Sequence, residues 1–233
     1  MNKEEFYKSV SELGINLNDK VKKDLDIFAN TLLDYNKHTN ITAIRDIDGV
    51  YLKHFYDSLT LFKVYDLTKD ITILDVGSGG GFPGIVLGII FPNLNITLLD
   101  SNHKKSDFQK YIVDKLNLNN IVVENKRAED YYKEGKKYDL VVARAVANLR
   151  ILSELCIPFV KINGYFIAMK GKIDEELNEG INAIKFLGGN IIQKQEFNLY
   201  NNEDERMLIV IKKEKDSPEG YPRIYDKIIK KPL

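Results

Sequence analysis

The stretch Leu74-Asp75-Val76-Gly77-Ser78-Gly79-Gly80-Gly81-Phe82-Pro83-Gly84 decides the fold. It ends a short β-branched run, Ile71 to Val76, and opens an apolar segment, Pro83 to Ile90, that reads as a helix with proline in its first turn. A glycine-rich turn from strand to helix lets a ligand press against bare backbone. The start of the helix adds oriented N–H groups. Ligands in open α/β sheets sit at the carboxyl ends of the strands, so this turn is the first place to look for one.

Working outward, the same strand–turn–helix rhythm repeats. Strands are expected at Asn95 to Asp100, Ile121 to Glu124, Tyr138 to Ala143 and Gly164 to Met169. Helices are expected at His103 to Leu116, Leu149 to Val160 and Asp174 to Leu187. This alternation predicts a mostly parallel, doubly wound, Rossmann-like α/β sheet covered on both faces. Asn190 to Phe197 and Met207 to Lys212 have only a short connection, which predicts a C-terminal antiparallel hairpin. Before residue 70 there is helical periodicity without a convincing strand. Asn18 or Asp19 caps a helix through Tyr35, with Val21, Leu25, Phe28, Leu32 and Leu33 on one face. A second helix is expected from Val50 to Val64. The division in sequence is a helical N-terminal region, 1–69, and a sheet domain with a basic tail, 70–233.

Gly79-x-Gly81-x-x-Gly84 matches the dinucleotide pattern, which alone is a weak signal. Here an acid on the strand, Asp75, and a further glycine, Gly77, precede it. An acid-lined loop suits a sulfonium and an ammonium group better than a pyrophosphate, which favours S-adenosylmethionine over a nicotinamide or flavin. A purely structural glycine turn is the remaining reading. Asp100 ends the second strand, at the distance where a carboxylate accepts both ribose hydroxyls. After the third strand comes Asn125-Lys126-Arg127-Ala128-Glu129-Asp130, which in such a fold lies beside the adenine. There the Ala128 N–H can donate to a ring nitrogen and Glu129 can accept from the amino group. The alternative is a solvated charged loop. Arg144 ends the fourth strand, and a charge there needs a partner. That partner is a ligand carboxylate or phosphate, or a protein carboxylate in an ion pair.

Composition bounds the classes. The chain has 233 residues, 44% hydrophobic and 29% charged, enough to bury a core. Lysine plus arginine total 34, as do aspartate plus glutamate. That balance excludes a histone-like polyanion binder but not a local basic patch. One cysteine, Cys156, allows neither an intrachain disulfide nor a paired-cysteine zinc site, and three separated histidines make no metal site. A reducing, cytoplasmic setting is expected. The acidic start, Met1 to Glu5, does not read as a signal peptide, so none is expected. No apolar run approaches the roughly 20 residues of a membrane span.

Asp75-Val-Gly-Ser-Gly-Gly-Gly-Phe-Pro-Gly-Ile85 resembles the signature of the bacterial ribosomal RNA small subunit methyltransferase G family, also called glucose-inhibited division protein B. Tyr35-Asn-Lys37 with Asn40-Ile-Thr42, His54-Phe-Tyr-Asp-Ser-Leu59, Asp100-Ser-Asn, Arg127-Ala-Glu129 and Ala143-Arg-Ala145 are similar to its other motifs, in order. The ending Tyr221-Pro-Arg with Lys230-Lys-Pro-Leu233 is similar to its basic C-terminus, although a glycine-threonine-proline step of the family is absent. The resemblance covers essentially the whole chain. It implies a class I S-adenosylmethionine-dependent methyltransferase that methylates N7 of one guanine in 16S rRNA. It implies cofactor contacts at Gly77, Phe82, Ala128, Glu129 and Arg144, beside Gly79, Gly81 and Asp100 from the loop reading. Guanine N7 has a lone pair and no proton, so no catalytic acid or base is expected, and Arg144 is a positioning candidate only. The partner is 16S rRNA or the small ribosomal subunit, met through Lys105, Arg150, Lys170, Lys172, Arg223, Lys227 and Lys230. A monomer is expected. His54 and Asp57, one helical turn apart, are read as structural.

Overall fold

Asn2 opens the first helix, α1 (Lys3–Glu12), through a reciprocal pair of hydrogen bonds with Glu5. The sequence reading missed this helix, although the three-residue spacing of Asn2 and Glu5 is a capping box. The chain is described here by a computed structural model covering residues 1–144, 147–171, 174–200 and 204–233. α2 (Asp19–Tyr35) is capped by Asn18 as expected. The helix expected over Val50 to Val64 is a continuous but irregular helical run. It comprises α3 (Ile47–Val50), a π-helical segment Tyr51–Tyr56, α4 (Asp57–Leu59) and a 3₁₀ segment Thr60–Lys63. It starts early because the Asp46 side chain accepts from Gly49 N at 2.7 Å.

The alternating elements follow: β1 (Thr72–Val76), α5 (Gly84–Ile90), β2 (Asn95–Leu99), α6 (His103–Lys115) and β3 (Ile121–Glu124). Then come α7 (Ala128–Tyr131), β4 (Tyr138–Arg144), α8 (Leu149–Cys156) and β5 (Val160–Lys170). The last are α9 (Asp174–Phe186), β6 (Gly189–Asn198), β7 (Glu205–Lys213) and α10 (Tyr225–Lys230). Pro83 is the N-cap of α5 rather than a residue of its first turn, a small correction. β5 begins four residues before the expected Gly164, because Val160 pairs with Tyr138 ahead of a register shift. The strand order is β3-β2-β1-β4-β5-β7-β6, a mixed seven-stranded sheet. Its Rossmann-like pattern is the expected one, with the C-terminal antiparallel hairpin in place.

Two compact units make up the chain. Residues 1–70 and 78–125 form the first, and 71–77 and 126–233 the second. The N-terminal helices therefore share a core with α5, β2, α6 and β3, rather than forming a unit of their own. α5 is buried along its whole length. A Cβ at Gly88 would lie 2.5 Å from Ile121 Cδ1, so a larger residue there would force the Ile121 side chain to shift. In the second unit β1, β4 and β5 are parallel, and β7 runs antiparallel between β5 and β6. Its core holds a charge. Lys213 is 2% exposed and donates to Ile157 O, Leu187 O and Ser217 Oγ. Burial lowers its pKa to about 8, with the Lys137 charge adding to the shift.

Candidate cofactor site

In the first unit the glycine loop is built from its own backbone. Gly81 N and Phe82 N both donate to Ser78 O at 2.9 Å, closing a tight turn. Gly79 and Gly81 hold φ of +60° and +91°, where a side chain is strained. Asp100, at the end of β2, holds the turn in place. Its Oδ2 accepts from Gly79 N and its Oδ1 from Asn102 N, both at 2.8 Å. The carboxylate expected to read a ribose is thus first a staple of the loop, with one further lone pair on each oxygen for a ligand. Gln109, buried on α6, donates to Ser78 Oγ at 2.8 Å and Gly79 O at 2.7 Å. Sequence reasoning missed Gln109, since an amide on a helix carries no local signal of its partner.

Phe82 anchors the loop to the N-terminal helices. Its ring stacks on His54 at 4.2 Å and on Phe28 at 5.2 Å between centroids. His54 Nε2 lies 2.8 Å from Thr42 Oγ1. A Cβ on Gly80 would meet the Phe82 ring at 2.9 Å and Ile41 Cγ2 at 3.1 Å. Ile41 and Thr42 are placed by the buried Asn36 side chain, whose Oδ1 accepts from both of their backbone N–H groups. Its Nδ2 donates to Thr42 O and Ile44 O. The motifs around Asn36, Thr42 and His54 therefore help shape the surface against which Gly80 and Phe82 pack.

In the second unit Asp75 is fully buried on β1, opposite Val142 on β4. Burial, with the Asp75 charge second, pushes the Cys156 thiol well above its ordinary range. Gly77 follows β1 with φ +70°. Ala128 starts α7, where first-turn N–H groups lack an intrahelical acceptor. Glu129, 7% exposed, accepts at Oε1 from Tyr225 N at 3.0 Å. Arg144 ends β4, half-buried and in register with Met169.

The cations expected at an RNA surface divide into two sets. Lys227 and Lys230 are exposed on α10, and Lys105 is half-buried in the first turn of α6. The other described ones have internal partners. Arg223 makes a two-pronged ion pair with Glu154 through Nε and Nη2 at 2.8 and 2.6 Å. Arg150 donates to Pro232 O at 2.9 Å and to Leu233 O. Lys170 is 2.7 Å from Glu176 Oε1 and 2.6 Å from Ala147 O, its side chain 9% exposed. For these three the structure shows charges spent within the protein, because long-range partners outcompete water for them. Lys172 lies outside the described residues.

A family model described as rRNA small subunit methyltransferase G (GidB) matches residues 21–206. The curated protein of that name from Halalkalibacterium halodurans is 44% identical over 223 residues, 94% of each chain. That from Oceanobacillus iheyensis is 43% identical over 227 residues, 96% of this chain and 95% of the relative. This chain belongs to the rRNA small subunit methyltransferase G family. Solved methyltransferases share its fold at low identity. A precorrin-6y C5,15-methyltransferase from Geobacter metallireducens aligns with TM-score 0.53 and 15% identity, over 68% of this chain and 86% of that one. Aeropyrum pernix fibrillarin, solved with natively bound S-adenosyl-L-methionine, aligns with TM-score 0.54 and 15% identity, over 67% and 73%. The α/β sheet of this chain thus has the fold of these methyltransferases. Its glycine loop, Asp75 to Ile85, lies within the residues that the family model matches.

Proposed function

We propose that the chain transfers a methyl group from S-adenosylmethionine to N7 of one guanine of 16S rRNA, acting as a cytoplasmic monomer. The observation that carries this reading is the glycine loop. Its turn is closed by Ser78 O and stapled by Asp100, and it sits in a chain of the methyltransferase G family. The residues fit the cofactor. Gly77, Gly79, Gly81 and Phe82 offer backbone. Asp100 keeps lone pairs for ribose hydroxyls, Ala128 N–H and Glu129 suit an adenine edge, and Arg144 orients a ligand carboxylate or an RNA phosphate. S-adenosylmethionine, when bound, supplies an electrophilic methyl on a sulfonium.

The protein's part is alignment. Guanine N7 attacks with its own lone pair, so no side chain has to remove a proton, and the rate rests on holding the reacting atoms in line. The purine becomes cationic as it is methylated, so Arg144 acts on the ligand's anionic groups rather than at the ring. Lys105, Lys227 and Lys230 are the cations available to the rRNA phosphates. Membrane association is not part of this reading, and no helix among the described residues is long and apolar enough to cross a bilayer.

The test is deletion of the gene followed by mapping of modified nucleotides in 16S rRNA. Loss of a single N7-methylguanosine, restored by the purified enzyme with S-adenosylmethionine, is expected. Unchanged modification overturns the reading. Supplying either naked 16S rRNA or assembled small subunits in the restoration step identifies the substrate.

A further inference from the structure

The C-terminal segment was expected to face RNA through its basic residues. The structure uses part of it differently. Tyr225 N donates to Glu129 Oε1 at 3.0 Å, and the Arg127 guanidinium lies 5.6 Å from the centroid of the Tyr225 ring. The segment thus holds α7 at the two residues flanking Ala128. It is itself firmly anchored. Arg223 gives Glu154, which has no exposed surface, three hydrogen bonds: from N, Nε and Nη2 at 2.9, 2.8 and 2.6 Å. Ile228 is fully buried, and Arg150 holds Pro232 O and Leu233 O.

A carboxylate with one oxygen fixed by a backbone donor has lost most of its side-chain freedom, which a ligand would otherwise have to remove on binding. Among the described residues Oε1 has this donor, and no hydrogen bond is seen to Oε2. The second oxygen is therefore held in one direction and is available to a donor from outside the protein.

We propose that residues 223–231 are a positioning element for cofactor recognition: the Tyr225 N–H fixes Glu129 so that Oε2 accepts from the exocyclic amino group of the adenine. This rests on the reading of Glu129 as an adenine contact. Cofactor affinity and base discrimination are thereby tied to the tail that also carries Lys227 and Lys230.

The geometry supplies a clean test. Tyr225 is the first residue of α10, a position where proline is well tolerated, and Ile224 before it is extended (φ −62°, ψ 141°), as a residue preceding proline must be. Tyr225→Pro therefore removes the N–H without breaking the helix. Tyr225→Ala removes the ring and keeps the N–H. Calorimetric titration of the purified full chain with S-adenosylhomocysteine and its inosine analogue reads both affinity and discrimination. Relative to Tyr225→Ala, Tyr225→Pro is expected to bind S-adenosylhomocysteine about tenfold more weakly, the scale of one hydrogen bond to a charged group. Its preference over the inosine analogue should shrink in parallel, a change that mere loosening of the fold does not produce. Equal discrimination in the two variants overturns the positioning role. Glu129→Gln separates this from the underlying reading. If it leaves the preference for adenine untouched, Glu129 is not an adenine contact and both statements fall. If it abolishes the preference while the two Tyr225 variants agree, only the positioning role falls.

Discussion

The two units hold their functional loops by different physics. In the first, the glycine loop, its turn stapled by Asp100, rests on rings: Phe82 against His54 and Phe28, with Ile41 closing on Gly80. In the second, α7 is held through charge: Glu129 by Tyr225 N, and the tail that delivers it by Arg223 on Glu154. Ring stacking and burial have no net charge for salt to screen and are spread over many atom pairs. A buried carboxylate depends on its one partner, and removing that partner leaves an uncompensated charge. The first arrangement suits a loop that must keep one shape, and the second suits a contact that a distant segment can govern.

The largest effect is therefore expected in the charged region. Arg223→Met strands Glu154 in the core and should cost about 4 kcal/mol, the scale for breaking a buried pair from one side. Urea denaturation measures it. Since Glu154 is fully buried, the loss should hardly change with salt; a strongly salt-dependent loss would mean that the pair is solvated. In the apolar region Gly81→Val comes next. A Cβ there meets Ile85 Cδ1 at 2.3 Å, and φ is +91°. Strain of about 1–3 kcal/mol adds to overpacking of similar size. Cofactor binding should fall below detection in a calorimetric titration while a folded, weakened chain persists.

His54→Ala takes out the face of the stack. It removes the ring over Phe82 and the imidazole partner of Thr42 Oγ1, which keeps the Ile44 N–H. A loss of about 2 kcal/mol is expected from cavity and hydrogen bond together. The cofactor's affinity should drop by more than in a variant equally destabilised elsewhere in the first unit, such as one trimmed at Phe6. An equal drop in both would show that the stack supports the unit but not the loop.

The contrast between the two regions also marks what could be read from the sequence. The glycine loop, its strand and helix, and Asp100 are local in sequence, and turn chemistry plus periodicity expose them. β6 and β7 were legible for the same reason. The holding contacts were not. Arg223 meets Glu154 across 69 residues, and Tyr225 meets Glu129 across 96. A single sequence displays a charge but not the partner that neutralises it, so Arg150, Lys170 and Arg223 read as surface cations. Asn36 and Gln109 were hidden likewise, since an amide's hydrogen bonds follow from the fold around it. The tail helix α10 buries only Ile228, too little apolar surface to give a period.

The pH dependence of stability distinguishes the units by sign. Lys213 in the second unit has its pKa lowered to about 8 by burial. Between that value and the ordinary lysine range the unfolded chain binds more protons than the folded one, so this group makes stability rise with pH there. Tyr51 in the first unit is buried and donates to Asp26; burial, with the Asp26 contact second, raises its pKa. The folded chain then keeps a proton that the unfolded chain loses, so stability falls as pH climbs past about 10, the ordinary tyrosine range. Urea midpoints measured from pH 7.5 upward should first rise and then fall. Lys213→Met should remove the rise, and Tyr51→Phe should soften the fall. A rise that survives in Lys213→Met would place the titrating group elsewhere. Because ring stacking has no proton to lose, Phe28→Leu should lower the whole curve without moving its maximum, which separates a packing contribution from a charged one.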